Sequence, residues 1–482
     1  MDIRKRVTQA CDACQRRRVK CSGGDICTEC GHLNIRCAYT PRAPKLKTRS
    51  RRGAVISQFK QSVAQSTHPP TTSTATSTAR KADQETNRDA GLKHTKTFFL
   101  DLIPNYEASV FPPHPIIHSE DLRKHIERLD DDQESKAFVY AAGAVSFSLS
   151  PDGKQWTPQA ASQTRDLIDI ARSLCRPVDV SSKSSVIAIM TALFIHHCLY
   201  DLGEPQSAFL YARHALSMLE LLRIRETAYD TSGPQMEGRI RRRLYWLLFI
   251  QERFLAISEY KNTVLLPLPF IDEQAPDLSA SIDRYFSRLI KLFTLVDTTF
   301  VHGWLTQNNE SNQHTISADW VKTKSREILR DAEEAEHDRD TLDSMQLADL
   351  TITRHWLATH VWRIAMSTGH LRSLASEESM SLFFPVQLAD RLRQEVTTYS
   401  FESIEIHGTG IAQKLFELSD TLADLVLHVP AASLGEYADH IDLLVFLLRV
   451  TFRSAMLDGT RKAILEDKLH RIYSLDHTTN DS

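Results

Sequence analysis

Four kinds of signal are missing from this chain. Strand patterning is sparse, which leaves helix as the main element. The longest apolar run, residues 244–250, falls far short of the roughly 20 residues that a membrane-crossing helix needs. The first six residues, MDIRKR, lack the apolar stretch of a secretory leader. A soluble chain inside the cell, with no membrane role, is the expectation. Catalytic signatures are absent too: no GxSxG, HExxH, P-loop or dinucleotide fingerprint stands in a suitable context, and Gly408-Thr409-Gly410 is too short to cradle phosphate.

Charge is missing only on average. The 482 residues sum to a formal −3, too little for a nucleic-acid binder, and the length is too great for one core. Residues 1–52, however, hold 14 Lys+Arg against 4 Asp+Glu, and the remainder carries −13. A basic head therefore precedes an acidic body, and the head is positive enough to leave an electrostatic footprint on phosphate.

Cysteine is scarce outside one stretch. Six of the eight lie in residues 11–37, as Cys11, Cys14, Cys21 and then Cys27, Cys30, Cys37, so C-x2-C-x6-C occurs twice. In an intracellular chain such spacing points to zinc ligands rather than disulfides. Two tetrahedral zinc ions need eight ligand positions and six thiolates fill six, so two sulfurs must bridge both metals. Such a cluster has no open position for water, which argues against a zinc enzyme. The first six-residue spacer is QRRRVK and the second is GHLNIR. Only the first makes a cationic helix, so that half should face the major groove, where arginine can donate a bidentate pair to guanine.

The run from Ala10 to Cys21, closing at Cys37, resembles the DNA-binding cluster of the fungal Zn(II)2Cys6 transcription factors. The resemblance implies two zinc ions bridged by Cys11 and Cys27, and base reading of a CGG-like triplet by Arg17 and Arg18. Arg16, Lys20, Lys45 and Lys47 are assigned to phosphate, which positions the module without reading sequence. Two departures stand out: Gln15 replaces a usual arginine, and Ile26 replaces the proline that commonly precedes the fourth cysteine. The function implied is a nuclear, double-stranded-DNA-binding regulator of RNA polymerase II genes. A pathway-specific activator of metabolite genes or carbon use is favoured, and a repressor or a ligand-responsive regulator is the alternative. Basic clusters at residues 4–6, 16–18 and 45–52 offer nuclear-import signals.

Beyond the DNA-binding domain (residues 1–52), residues 53–97 form a linker. Ile56, Phe59 and Val63 keep a 3-4 spacing, a short helix through which a homodimer could form. Nine Ser/Thr in residues 66–78 then mark a flexible, disordered stretch. Residues 98–475 read as one large irregular all-helical domain. Helices are expected at 119–129, 133–148, 159–175, 186–202, 208–222, 237–259, 283–298, 316–337, 343–370, 385–398, 409–429 and 437–457, with a disordered tail at 476–482. The fold class is thus mainly all-α: a small zinc module, a linker and a helical body. Phe98 to Ile103, Pro112 to His118, and the run from Arg241 to Arg253 followed by residues 265–269 resemble the fungal-specific transcription factor domain. The transcription machinery is an expected partner, and a small-molecule effector held by the helical domain is the partner of the alternative reading. His196, His197 and Cys198 are read as packing, Cys175 as a buried or free thiol, the acidic run 331–340 as a solvated face, and Arg241, Arg242 and Arg243 as a surface anchor.

Overall fold

The computed structural model describes positions 11, 14, 21–24, 26–28, 30, 37 and 38, and residues 94–149, 156–175, 185–225, 235–272, 274–307, 316–372, 377–429, 431 and 433–480. Its contacts divide the chain into two compact units, residues 1–87 and 88–482. Among the described residues no strand forms, and one isolated bridge joins Arg372 to Ser381. No described helix is long and apolar enough to cross a membrane.

The second unit begins with α1 (Lys96–Asp101) and a π-helical turn at Tyr106–Val110. Next come α2 (Ser119–Glu127), α3 (Gln133–Ser148), α4 (Pro158–Leu174), α5 (Val186–Asp201) and α6 (Pro205–Leu221). Then follow α7 (Gln235–Ser258), α8 (Ala280–Thr294), α9 (Thr298–Leu305), α10 (Ala318–His337) and α11 (Ser344–Ser367). The last are α12 (Phe384–Val396), α13 (Phe401–Glu405), α14 (Gly408–His428), α15 (Leu434–Arg453) and α16 (Gly459–Asn480).

Local chemistry sets these boundaries. Asp132 caps α3 by accepting from the amides of Glu134 and Ser135, and Thr157 caps α4 with Pro158 at its first position. Between α5 and α6 the chain turns at Gly203, whose φ of 74° favours glycine, and Pro205 opens α6. The α5–α6 hairpin is therefore present as read. The helix expected at 283–298 is α8, which stops at Thr294; beyond it the Asp297 carboxylate accepts from the Phe300 amide 2.8 Å away to start α9.

A last helix follows that the periodicity of the sequence does not announce. Helix α16 runs to Asn480, past Asp476, because Leu465 and Ile472 are buried and a helix once nucleated adds a further turn at little cost.

Helix α11 lies at the centre of the body, against α8, α9, α10, α12, α13 and α14. A helix surrounded by protein would ordinarily be apolar all round. Instead α11 buries Asp349, Thr353, Arg354, His355 and His360. Each has a partner. Tyr285 donates to Asp349 at 2.7 Å, and the Lys414 ammonium of α14 donates to Asp349 at 2.9 Å and to Thr353 at 2.6 Å. Glu417 accepts from Trp356 and lies 2.8 Å from His360 Nε2. Arg354 reaches Asp331 of α10 and Glu395 of α12.

These pairs correct two surface readings. Asp331 and Asp338 of the acidic run are buried and face Arg288, because α10 turns that side toward α8 and α11. Of the three arginines, Arg241 is on the surface beside Glu237, whereas Arg242 grips Asp272 with two nitrogens and Arg243 is buried against Asp277.

Candidate functional site

In the first unit the sulfurs of Cys11, Cys14, Cys27 and Cys30 all lie within 4.8 Å of one another, and all four residues are buried. Separations are 3.7 Å for Cys11–Cys27, 3.6 Å for Cys11–Cys30 and 3.5 Å for Cys14–Cys27. These are not disulfides, and every cysteine is free. A tetrahedral ion with zinc–sulfur bonds of about 2.3 Å sets its sulfurs about 3.8 Å apart, so the cluster has the edge length zinc requires. Without a cation the Cys14 thiol is pushed up to about 12, by burial first and then by the Cys27 and Cys11 thiols, and Cys30 is raised the same way, so the thiolate form depends on a bound cation. Sulfurs so placed become thiolates against a cation.

The two halves repeat in detail. The Cys14 amide donates to the Cys11 sulfur at 3.5 Å, and the Cys30 amide donates to the Cys27 sulfur at 3.4 Å. Cys11 and Cys27, the first and fourth cysteines, are thus the equivalent inner pair, each beside a cysteine of the other half. The Cys37 sulfur accepts from the Cys27 amide at 3.4 Å. Cys21 is buried and Cys37 half-buried at the cluster edge. Between the halves Gly23 and Gly24 take φ of 77° and 89°, and Ser22 Oγ accepts from the Thr28 amide at 2.8 Å. Two glycines and one side-chain bond therefore turn this loop where Ile26, largely exposed, stands for proline. Arg16, Arg17, Arg18, Lys20, Lys45 and Lys47 lie outside the described residues.

A zinc-cluster head joined to a helical body defines a DNA-binding transcription regulator rather than an enzyme. Residues 9–46 match the fungal Zn(2)-Cys(6) binuclear cluster domain, which binds two zinc ions. The chain is homologous to fungal regulators of that type over most of its length. It is 22% identical to the maltose fermentation regulatory protein MAL63 of Saccharomyces cerevisiae over 436 residues, covering 87% of this chain and 85% of that one. It is 19% identical to the probable sucrose utilization protein SUC1 of Candida albicans, covering 87% and 79%. The zinc finger protein grt1 of Schizosaccharomyces pombe is 48% identical over 42 residues, 9% of this chain and 6% of that protein.

Sequence reading did not find a second feature, a half-open cavity of about 160 Å³ in the helical body. Helices α3, α5, α7, α8, α11 and α14 and the π-helical turn line it, and Leu247, Phe254, Leu289 and Phe293 are among its apolar lining. Its polar lining includes Ser109, His114, His197, Asp201, Asp349 and Lys414. Asp201 accepts from Thr409 Oγ1 at 2.5 Å and from Ser148 Oγ at 3.4 Å, and burial pushes its carboxyl up to about 6. Gly408 makes this approach feasible: its φ is 61°, and a Cβ there would lie 2.9 Å from the Leu149 side chain. The histidines read as packing are partly that. His196 holds the Ala208 carbonyl and Gln251, whereas His197 pairs with His114 at 3.0 Å beside the cavity. Burial holds all three neutral by lowering their pKa.

Proposed function

We propose that this chain is a nuclear, pathway-specific activator of RNA polymerase II genes for sugar use. The doubled cysteine cluster carries the DNA-binding part of this reading, and the maltose and sucrose roles named for two relatives support the pathway. In this reading Cys11, Cys14, Cys21, Cys27, Cys30 and Cys37 hold two zinc ions, with Cys11 and Cys27 bridging. Arg17 and Arg18 read a CGG-like triplet in the major groove, while Arg16, Lys20, Lys45 and Lys47 contact phosphate. The division of charge, +10 on residues 1–52 against −13 on the rest, supports DNA binding by the head alone. Residues 98–475 act as the fungal-specific transcription factor domain, which addresses the transcription machinery, and residues 53–97 link the two and supply any homodimer contact.

Binding-site selection with the zinc-loaded full chain tests this. A CGG-like triplet is the expected product, single for a monomer and paired at fixed spacing for a dimer; recovery of no preferred sequence overturns the base-reading assignment. The cavity favours a second, compatible reading, a regulator whose helical body takes a small-molecule effector.

A further inference from the structure

We propose that the cavity of the helical body is a binding site for a small molecule bearing a protonated amine, seated against Asp201 and Ser109. This deepens the effector reading above and rests on it for the regulatory consequence, though not for the binding itself.

The first argument is charge. Asp349 is already neutralised by Lys414 at 2.9 Å, which leaves Asp201 as the lining's other carboxylate. Among the described residues no cation pairs with Asp201; its partners are the Thr409 and Ser148 hydroxyls and the Thr409 amide. Asp201 is half-buried, and a carboxylate drawn partly out of water without a cation attracts one.

The second argument is Ser109. Its hydroxyl is buried, lines the cavity and has no hydrogen-bond partner. It sits in the π-helical turn Tyr106–Val110, and such turns are frequent at functional sites. An orphaned buried hydroxyl calls for an explanation, and a ligand atom provides one.

The third argument is the polarity of the hydrogen bonds. His114 Nδ1 donates to the Val110 carbonyl at 2.9 Å, so in the neutral ring Nε2 is an acceptor. His197 must then donate through Nε2, which leaves its other ring nitrogen unprotonated. Unprotonated imidazole and carboxylate are acceptors, and the orphaned hydroxyl can accept as well. An ammonium group offers three donors and one positive charge, which matches that set.

Size limits the rest of the ligand. An engineered core cavity of about 150 Å³ admits benzene, so about 160 Å³ takes a molecule near that size.

The test uses the zinc-loaded full chain and three probes of one ring size: cyclohexylamine, cyclohexanol and cyclohexanecarboxylate. Calorimetric titration at pH 7.5 should show the amine binding at least tenfold more tightly than the alcohol, with no binding of the carboxylate. Asp201→Asn should weaken the amine at least tenfold. Ser109→Ala, which removes only the orphaned hydroxyl, should weaken it about threefold while leaving the melting temperature of the free protein equal or higher. No amine binding, equal binding of amine and carboxylate, or unchanged amine affinity in Asp201→Asn overturns the proposal. DNA binding measured with and without the amine separates the two levels: an amine that binds in the cavity without altering DNA affinity or reporter output sustains the site and refutes its regulatory role.

Discussion

Replacing Asp201 by Asn should make the helical body progressively more stable, relative to the parent protein, as pH rises from 5 to 8. Burial raises the Asp201 carboxyl from 3.8 to about 6 in the folded state. A folded-state pKa raised above the unfolded one means that the folded state holds the proton more tightly. Ionisation therefore costs stability, with no cost below pH 3.8 and the full cost above about pH 6. A tenfold difference in proton affinity between the folded and unfolded states is worth about 1.4 kcal/mol, so the full penalty is about 3 kcal/mol and roughly 1.6 kcal/mol of it is present at pH 5. The advantage of Asp201→Asn should thus grow by about 1.4 kcal/mol between pH 5 and pH 8. That increment does not depend on how well the amide packs, because packing contributes equally at both pH values. Burial lowers His114, His196 and His355 to about 4, so their contribution runs the other way: it is complete above about 6.5 and is lost as pH falls toward 4. Taking the difference between the two proteins cancels it. Urea unfolding followed by circular dichroism at pH 5, 6, 7 and 8 supplies the measurement. A difference that is flat across this range, or that shrinks, would refute an ionised, uncompensated Asp201.

Lys414→Met should cost about 3–5 kcal/mol, since it strands the Asp349 carboxylate in the interior, and Lys414→Met with Asp349→Leu should recover most of that in the same unfolding assay. Gly143→Ala should destabilise by about 1–3 kcal/mol because the new Cβ would meet the Phe99 ring at 2.8 Å, and Phe99→Leu should relieve the loss. Cys14→Ala should abolish both zinc content and DNA binding. Arg18→Ala should keep the zinc and lower specific affinity by roughly 1–3 kcal/mol, so equal zinc loss in the two variants, read by elemental analysis, would undo that division of roles.

The metal centre was legible because its information is local. Ligand spacing within 27 residues states the donor set, and the structure gathers four of those sulfurs within 4.8 Å. The longer helices were legible for a similar reason, as apolar periodicity and caps such as Asp132 and Thr157 lie inside each segment. Helix α16 was not, because only a narrow stripe at Leu465, Leu469 and Ile472 faces the core, while Ile464 and Tyr473 are exposed among mostly polar residues and blur the period. Short α9 and α13 begin at Asp297 and Ser400, caps visible in the sequence but followed by too few turns to establish a period.

The cavity lay beyond sequence reading altogether, since its lining is drawn from positions as far apart as Ser109 and Lys414. One signal was nevertheless present. Asp201 ends a helix whose other residues are almost all apolar, and Asp349 and Lys414 interrupt helices that are otherwise buried. A buried ion pair is a weak source of stability, and apolar residues of similar volume would commonly serve a core as well or better. The body instead retains a charged triad of Asp349, Lys414 and Asp201, keeps the third member without a cation, and leaves Ser109 without a partner around one shared space. Packing accounts for the first two of those charges. It does not account for Asp201 and Ser109 facing the same space, and that coincidence separates a binding site from a badly filled core.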